Sequence, residues 1–385
     1  MHENEMFSRE AAASLTSSLV RIPSVGDTDT EKNVARFVKK RLENLGFQTM
    51  TFEALSGRPN VVGILRGDST SPSLMFNAHM DVVEPGDIRT WHREPFSGTV
   101  TRGKVYGRGS ADTKGGLAAV LLAAESLSKR NLAGTLIIAA VVDEEKSKRG
   151  TVSLVRRRIL PNYAVFVEPT DLRLCVSHYG VLLMKITVFG TRTHSSMVTP
   201  RTPNAIVDLS HIILALERYN SELSRKSDKI LGPPKAVVGM INGGVSATCS
   251  AEKCSCTVDR RIIVGEDLMD AQEEILDLIR SVKRPGRQMK IKPEIRYKLP
   301  AANTHVGHPF VVKCRKIMRR LGKNDVPVVL HGSSDMPLLT SLGIPCVMLG
   351  PGSTSVAHAP NEWVTIKDVR DAAVIYAQFA NDFLA

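Results

Sequence analysis

Three adjacent acids, Asp143, Glu144 and Glu145, close the apolar run "TLIIAAVV" in the stretch "VVDEEKS". By length and composition the run reads as a buried strand. Like charges at the end of such an element repel one another and lose hydration, so water, a cation or a shared proton must compensate them. Other residues able to do chemistry end similar runs: His79 and Asp81 in "SLMFNAHMD", Glu168 in "YAVFVEPTD" and Asp335 in "VPVVLHGSSD". Asp112 lies in "YGRGSADTKGG", where Gly107, Gly109, Gly115 and Gly116 permit close backbone approach. His358 sits in the small-residue loop "STSVAHAPNEWV".

Singly, each has a plain structural account. His79 and Asp81 form either a metal ligand with an orienting carboxylate or a turn with two solvated residues. The Asp112 loop could simply open a helix, Glu168 could cap a strand before Pro169, and a lone loop histidine such as His358 is more often structural. Together, two histidines and several carboxylates at strand ends of one α/β domain suit a hydrolytic site with two zinc ions held by nitrogen and oxygen ligands. Two divalent cations are nearly balanced by three carboxylates and a hydroxide, which leaves one acid outside the ligand set to act as general base.

These residues need a scaffold that gathers strand ends. Short β-rich runs alternate with helical patterns such as "TEKNVARFVKKRLENLG", with Val34, Phe37, Val38, Leu42 and Leu45 at helical spacing, and "KGGLAAVLLAAESLSKR". Alternation of this kind implies a largely parallel sheet whose sites lie at the carboxyl ends of its strands. Between about Tyr179 and Tyr297 the order changes to strand, helix, strand, strand, helix, strand. That order implies a compact four-stranded antiparallel sheet with two helices, inserted into the first domain. The expected fold class is therefore α/β, with residues 1–178 and 298–385 forming one domain and 179–297 an inserted α+β domain.

Composition narrows the function. The 385-residue chain is 43% apolar, ample for a large core, and has no apolar run approaching the ~18 residues of a membrane span. The polar, acidic "MHENEMFSREAAASL" lacks the basic and apolar regions of a secretory signal, so a cytoplasmic location is expected. Six cysteines without a C-x-x-C pair read as reduced structural thiols. The net charge of +12 attracts anions, but it is scattered through "VRRRIL", "VKRPGR" and "CRKIMRR", and only 5% of residues are aromatic. A nucleic-acid platform fits poorly; solvated faces and small anionic substrates fit better. The sequence also lacks H-E-x-x-H, G-x-S-x-G, P-loop and G-x-G-x-x-G signatures.

The ordered set "NAHMDVV", "GRGSADTKGG", "DEEKSKRGT", "VEPTD", "THSS", "PNAI", "INGG", "VDRRIIVGED" and "AHAPNEW" resembles the acetylornithine deacetylase, succinyl-diaminopimelate desuccinylase, aminoacylase and glutamate carboxypeptidase family of metallohydrolases. The resemblance spans nearly the whole chain. It implies a catalytic domain with helices on both faces of its sheet and two divalent ions, zinc first, with cobalt or manganese as alternatives. Asp112 would bridge the ions, His79 and Glu168 would complete one site, and Glu145 and His358 the other. Asp81 would orient His79, and Glu144 would be the general base. The inserted domain would be a lid through which the protein forms homodimers, and His194 would reach the neighbouring subunit's site to polarise the scissile carbonyl. Arg261 would pair with the substrate carboxylate.

This chain departs from the pattern in places. Thr248 stands where many relatives carry a substrate-contacting Asn, which removes an amide from the acyl site. Lys146, Lys148 and Arg149 occupy a loop that is often glycine-rich, and read as surface charge. The expected activity is hydrolysis of an N-acyl amino acid by metal-activated water; a dipeptidase or metallocarboxypeptidase on the same site is the alternative, and a silent binding protein a remote one.

Overall fold

The computed structural model describes residues 7–28, 30–227, 231–286 and 288–385. Part of the acidic N-terminal stretch and Arg287, the last residue of "VKRPGR", lie outside this set. The chain forms two compact units, Met1–Val176 with Asn303–Leu330 and Ser334–Ala385, and Ser177–Ala302 with His331–Ser333.

The first unit begins with helices α1 (Arg9–Val20) and α2 (Glu31–Asn44), strands β1 (Gln48–Leu55), β2 (Arg58–Arg66) and β3 (Ser73–His79), and the short strands β4 (Thr99–Thr101) and β5 (Lys104–Tyr106). Helix α3 (Gly115–Leu127), strand β6 (Thr135–Val141), helix α4 (Arg149–Arg156) and strands β7 (Tyr163–Phe166) and β8 (Cys175–His178) follow. Val34, Val38 and Leu42 of α2 line one buried stripe, as their spacing requires. Helix α3 is apolar all round and buries every residue except Glu125, which makes it a central element rather than a surface one.

The second unit contains β9 (Gly180–Phe189), α5 (Ala205–Leu223), β10 (Lys235–Gly243), β11 (Lys253–Ile262), α6 (Leu268–Ser281) and β12 (Lys290–Leu299). Its sheet runs β10-β11-β9-β12, antiparallel throughout, over its own core of residues such as Ile186, Leu209, Val258 and Ile275. Cys254 and Cys256 share the buried face of β11, as the alternation of a strand requires.

The chain closes with β13 (Ala302–Asn303), α7 (Pro309–Arg320), β14 (Val328–Leu330), α8 (Pro337–Thr340), β15 (Cys346–Met348), β16 (Trp363–Thr365) and α9 (Ile366–Leu384). The large sheet has the order β1-β2-β6-β3-β7-β15-β8-β13, with β14 on β8. Its centre, β6-β3-β7-β15, is parallel, and β3 and β6 are buried at every position, the burial that covering on both faces produces. Because these strands run together, His79, the 143–145 acids and Glu168 emerge at one edge. A small sheet, β16-β5-β4, was not foreseen; it pairs segments too short for periodicity to announce.

Several residues of the basic stretch "CRKIMRR" are paired rather than arrayed: Arg315 and Arg319 meet Asp325, and Arg320 meets Asp382. Among the described residues no helix is long and apolar enough to cross a membrane.

Candidate metal centre

His79 is the last residue of β3, and its ring is fixed from behind: Nδ1–H donates to the Asp81 carbonyl at 2.8 Å, leaving Nε2 facing the Asp112 carboxylate at 3.0 Å. The orienting group is thus the main chain of Asp81, since the nearer carboxylate oxygen lies 3.7 Å from Nδ1. The Asp81 carboxylate instead accepts the Glu144 and Glu145 N–H groups, each at 3.1 Å, and shapes the turn carrying both acids.

Asp112 occupies the bend before α3. Gly109 has φ +83°, and a Cβ there would lie 2.5 Å from Val82 Cγ1, so only glycine lets the loop approach the segment after β3 this closely. Glu362 holds the loop from the other side. Its oxygens accept the N–H groups of Gly109 (2.9 Å), Ala111 (2.8 Å) and Asp112 (3.0 Å), and pair with Arg108 at 2.7 Å. The β5–β16 pairing brings this residue there, with Gly107 N–H donating to the Glu362 carbonyl at 2.9 Å.

The opposite Asp112 oxygen lies 3.3 Å from His358 Nε2, which also meets Glu145 Oε1 at 3.0 Å. One carboxylate therefore faces two imidazoles, and the second imidazole joins it to Glu145. Glu168 is 8% exposed two residues past β7.

Electrostatics follow from crowding. Burial, then the Asp112 charge, pushes Glu145 up to about 7. Burial and the charges of Glu144 and Asp112 raise Glu168 well above the carboxylate range. His358 is driven up to about 10, first by its hydrogen bond to Asp112 and next by that to Glu145. Burial opposes the charge on His79, but the hydrogen bond and charge of Asp112 with the charges of Asp81 and Glu144 together raise it, while hydrogen bonds and charges from both imidazoles overcome burial and hold Asp112 below the usual range. Without another cation, protons on the imidazoles and carboxyls must neutralise the cluster.

The donor set fits a divalent metal. Ligand atoms of His79, Asp112 and Glu145 lie within 4.8 Å of one another. Zinc–ligand arms of about 2.0–2.2 Å at the tetrahedral angle place neighbouring donors about 3.3 Å apart. The three nitrogen–oxygen separations of 3.0, 3.3 and 3.0 Å match that spacing.

Each acid of the 143–145 turn has its own basic partner. Asp143, at φ +63°, pairs with the buried Arg58 at 3.0 Å, and Arg58 also grips Glu31. Glu145 meets His358, and Glu144 meets Lys148. Lys146 makes an exposed pair with Asp27, as a surface residue would. Lys148, expected to be surface charge, is instead 6% exposed because its chain turns back under the loop. No pattern in the sequence singles out Lys148, Arg58 or Glu362 as functional, because each finds its partner through a fold-back or a long separation in the chain.

The remaining expected site residues lie in the second unit. His194 caps the turn Ser195–Met197, with Nδ1 2.7 Å from Ser196 Oγ, and is exposed. The main chain brings Thr248 beside it, since Ser195 N–H donates to the Thr248 carbonyl at 2.8 Å. Thr248 Oγ1 lies 3.0 Å from Ser246 Oγ, and Arg261 forks onto Asp259 Oδ2 of its own strand at 2.8 and 3.1 Å.

The sequence model of peptidase family M20/M25/M40 matches residues 75–382. The chain is 27% identical to N-formyl-4-amino-5-aminomethyl-2-methylpyrimidine deformylase of Bacillus subtilis, covering 100% of this chain and 94% of that one. It is also 27% identical to acetylornithine deacetylase of Proteus mirabilis, over 95% of each. A tripeptidase from Staphylococcus aureus shares the fold with a TM-score of 0.82 at 21% identity, over 98% of this chain and 99% of that one. A dinuclear metal-binding peptidase of the M20 family from Bacillus subtilis does so with a TM-score of 0.74 at 16% identity, over 99% of each.

Proposed function

Because the chain belongs to peptidase family M20/M25/M40, hydrolases of carbon–nitrogen bonds, we propose that it is a metal-dependent amidohydrolase that removes a small acyl group from an N-acylated amino acid. The observation that carries this reading is the convergence of His79, Asp112, Glu145 and His358 at one sheet edge, with Glu144 beside them on a fixed turn. Both full-length relatives described above are named for removal of an acyl group, formyl in one and acetyl in the other. That supports a deacylase over a dipeptidase.

His79, Asp112, Glu145, Glu168 and His358 would hold two divalent ions, zinc first and cobalt or manganese next. When bound, the ions would supply Lewis acidity and neutralise the carboxylates. Glu144 takes a proton from the attacking water and delivers it to the leaving nitrogen, so the amide breaks into a carboxylic acid and an amine. The Asp81 carboxylate holds the turn from which Glu144 projects. Arg261, whose fork rests on Asp259, would turn it to a substrate carboxylate, and Thr248 would contribute a hydroxyl where an amide is usual.

The protein is read as a homodimer through the second unit. Strand β10 is an edge of its sheet, and Val237, Met240 and Ile241 on it, with Ile206, Val207 and Leu214 on the adjacent α5, are exposed apolar side chains. Unpaired edges and apolar patches of this kind are usually covered. His194 of the partner subunit would then polarise the scissile carbonyl. Six unpaired cysteines support a cytoplasmic setting.

The test is a hydrolysis panel of formyl, acetyl and succinyl amino acids and dipeptides with enzyme loaded with zinc, cobalt or manganese. Release of a free acid and one amino acid supports the reading. Release of two amino acids makes the protein a dipeptidase, and binding without turnover makes it a silent relative.

A further inference from the structure

We propose that Lys148 is a positioning residue for Glu144, holding the carboxylate from the side of the protein while its other face is left for the attacking water; this rests on the reading of Glu144 as general base.

Three observations carry it. The Lys148 ammonium is buried, donates to the Glu144 carbonyl at 2.9 Å, and pairs with Glu144 Oε1. It therefore grips both ends of the same residue. The ammonium is in turn held 3.6 Å from Asp335 Oδ1, and Asp335 is fully buried, with Oδ2 accepting from the Thr151 hydroxyl. Thr151 Oγ1 accepts from Asn77 Nδ2 at 3.1 Å, so the chain of contacts ends on β3, the strand that bears His79.

The third observation is the backbone. Lys148 has φ +57° and ψ 26°, and its N–H closes the loop on the Asp143 carbonyl at 2.6 Å. The left-handed region suits glycine, and a residue that carries a Cβ is held there at a backbone cost that its surroundings must offset. Glycine would satisfy this turn without strain. Only a long cationic side chain also returns an ammonium to Glu144, and the loop geometry at 148 aims it there. A counter-ion for general charge balance would not need to bind the main-chain oxygen of the same residue.

The test uses the metal-loaded, full-length enzyme and the best substrate of the hydrolysis panel. Lys148→Gly keeps the left-handed turn and removes the ammonium, and Lys148→Asn, which tolerates the same backbone, is the second variant if the glycine loosens the loop. Both should fold, retain wild-type metal content and KM within about twofold, and lose about 10–100-fold in kcat, the scale on which supporting hydrogen bonds act. In a Glu144→Gln background Lys148→Gly should cause no further loss, because Lys148 acts through that carboxylate. Unchanged kcat in Lys148→Gly, loss of bound metal, or an equal loss in the Glu144→Gln background would each overturn the proposal. Full activity of Glu144→Gln alone would instead overturn the general-base reading on which it rests, so the two failures are distinguishable.

Discussion

Asp81 holds Glu144 by the main chain: Oδ1 of the aspartate accepts the Glu144 N–H at 3.1 Å, and Oδ2 accepts that of Glu145 at the same distance. Both oxygens of a buried carboxylate are thus spent on the turn that carries Glu144 and Glu145. Asp81→Asn places an amide NH2 against one of these N–H donors. Activity and metal affinity should both fall on the order of 10–100-fold, as for other outer supports of a metal site. Wild-type metal affinity in this variant would show that the turn holds itself.

Glu362 performs the same service for Asp112 and keeps the buried Arg108 paired. Glu362→Ala leaves that guanidinium without its carboxylate and frees three loop N–H groups. Removing one partner of a buried pair costs about 3–5 kcal/mol, which urea unfolding should register as a lower midpoint with an unchanged slope. A change below about 1 kcal/mol would mean that water replaces the carboxylate.

The metal-free protein should become less stable as pH rises. Glu145 is raised from 4.5 to about 7, Asp335 from 3.8 to about 7, and Glu31 from 4.5 to about 7, each chiefly by burial. The fold favours their protonated forms, so the stability they contribute is complete below their ordinary values and is lost as pH passes through about 7. His358, raised from 6.5 to about 10, works in the same direction over a higher range. Calorimetry on chelator-treated protein should therefore give a falling Tm from pH 5 to pH 8, and a larger gain on metal addition at pH 8 than at pH 5. A metal-free Tm that rises over that interval contradicts the electrostatic account.

If His194 acts across a dimer, subunits bearing His194→Ala and subunits bearing Glu144→Gln should recover activity when mixed and exchanged. Each pure variant should be deficient by about two orders of magnitude, the scale of an oxyanion donor or a general base. No recovery, with exchange verified by mass spectrometry, would place His194 outside the partner's site.

Much of this architecture was legible because hydrophobic period reports burial. The seven-residue runs at β3 and β6 are fully buried, and parallel pairing then requires their polar ends to gather. Period does not report where a loop folds back. Lys148 looked like surface charge in "DEEKSKRGT" because nothing in that string announces a left-handed residue with its side chain turned under the loop. Glu362 was hidden for a different reason: 250 residues separate it from Asp112, and the short β5 and β16 that join them carry no pattern of their own. The contact between Asp81 and His79 was foreseen through the carboxylate, whereas the carbonyl makes it; residue type names the side chain and says nothing of its main chain.

The proposed assignment of His79, Asp112, Glu145, Glu168 and His358 to a two-metal centre ties amide hydrolysis to metal content. The most direct measurement is a titration of chelator-stripped enzyme with zinc, cobalt or manganese, following bound metal per chain and hydrolysis of N-acyl amino acids together. Under that assignment, no hydrolysis without metal, full activity at two bound ions, and loss of tight binding in Asp112→Ala are expected. Hydrolysis by the stripped enzyme, or a fully active Asp112→Ala variant, would contradict it.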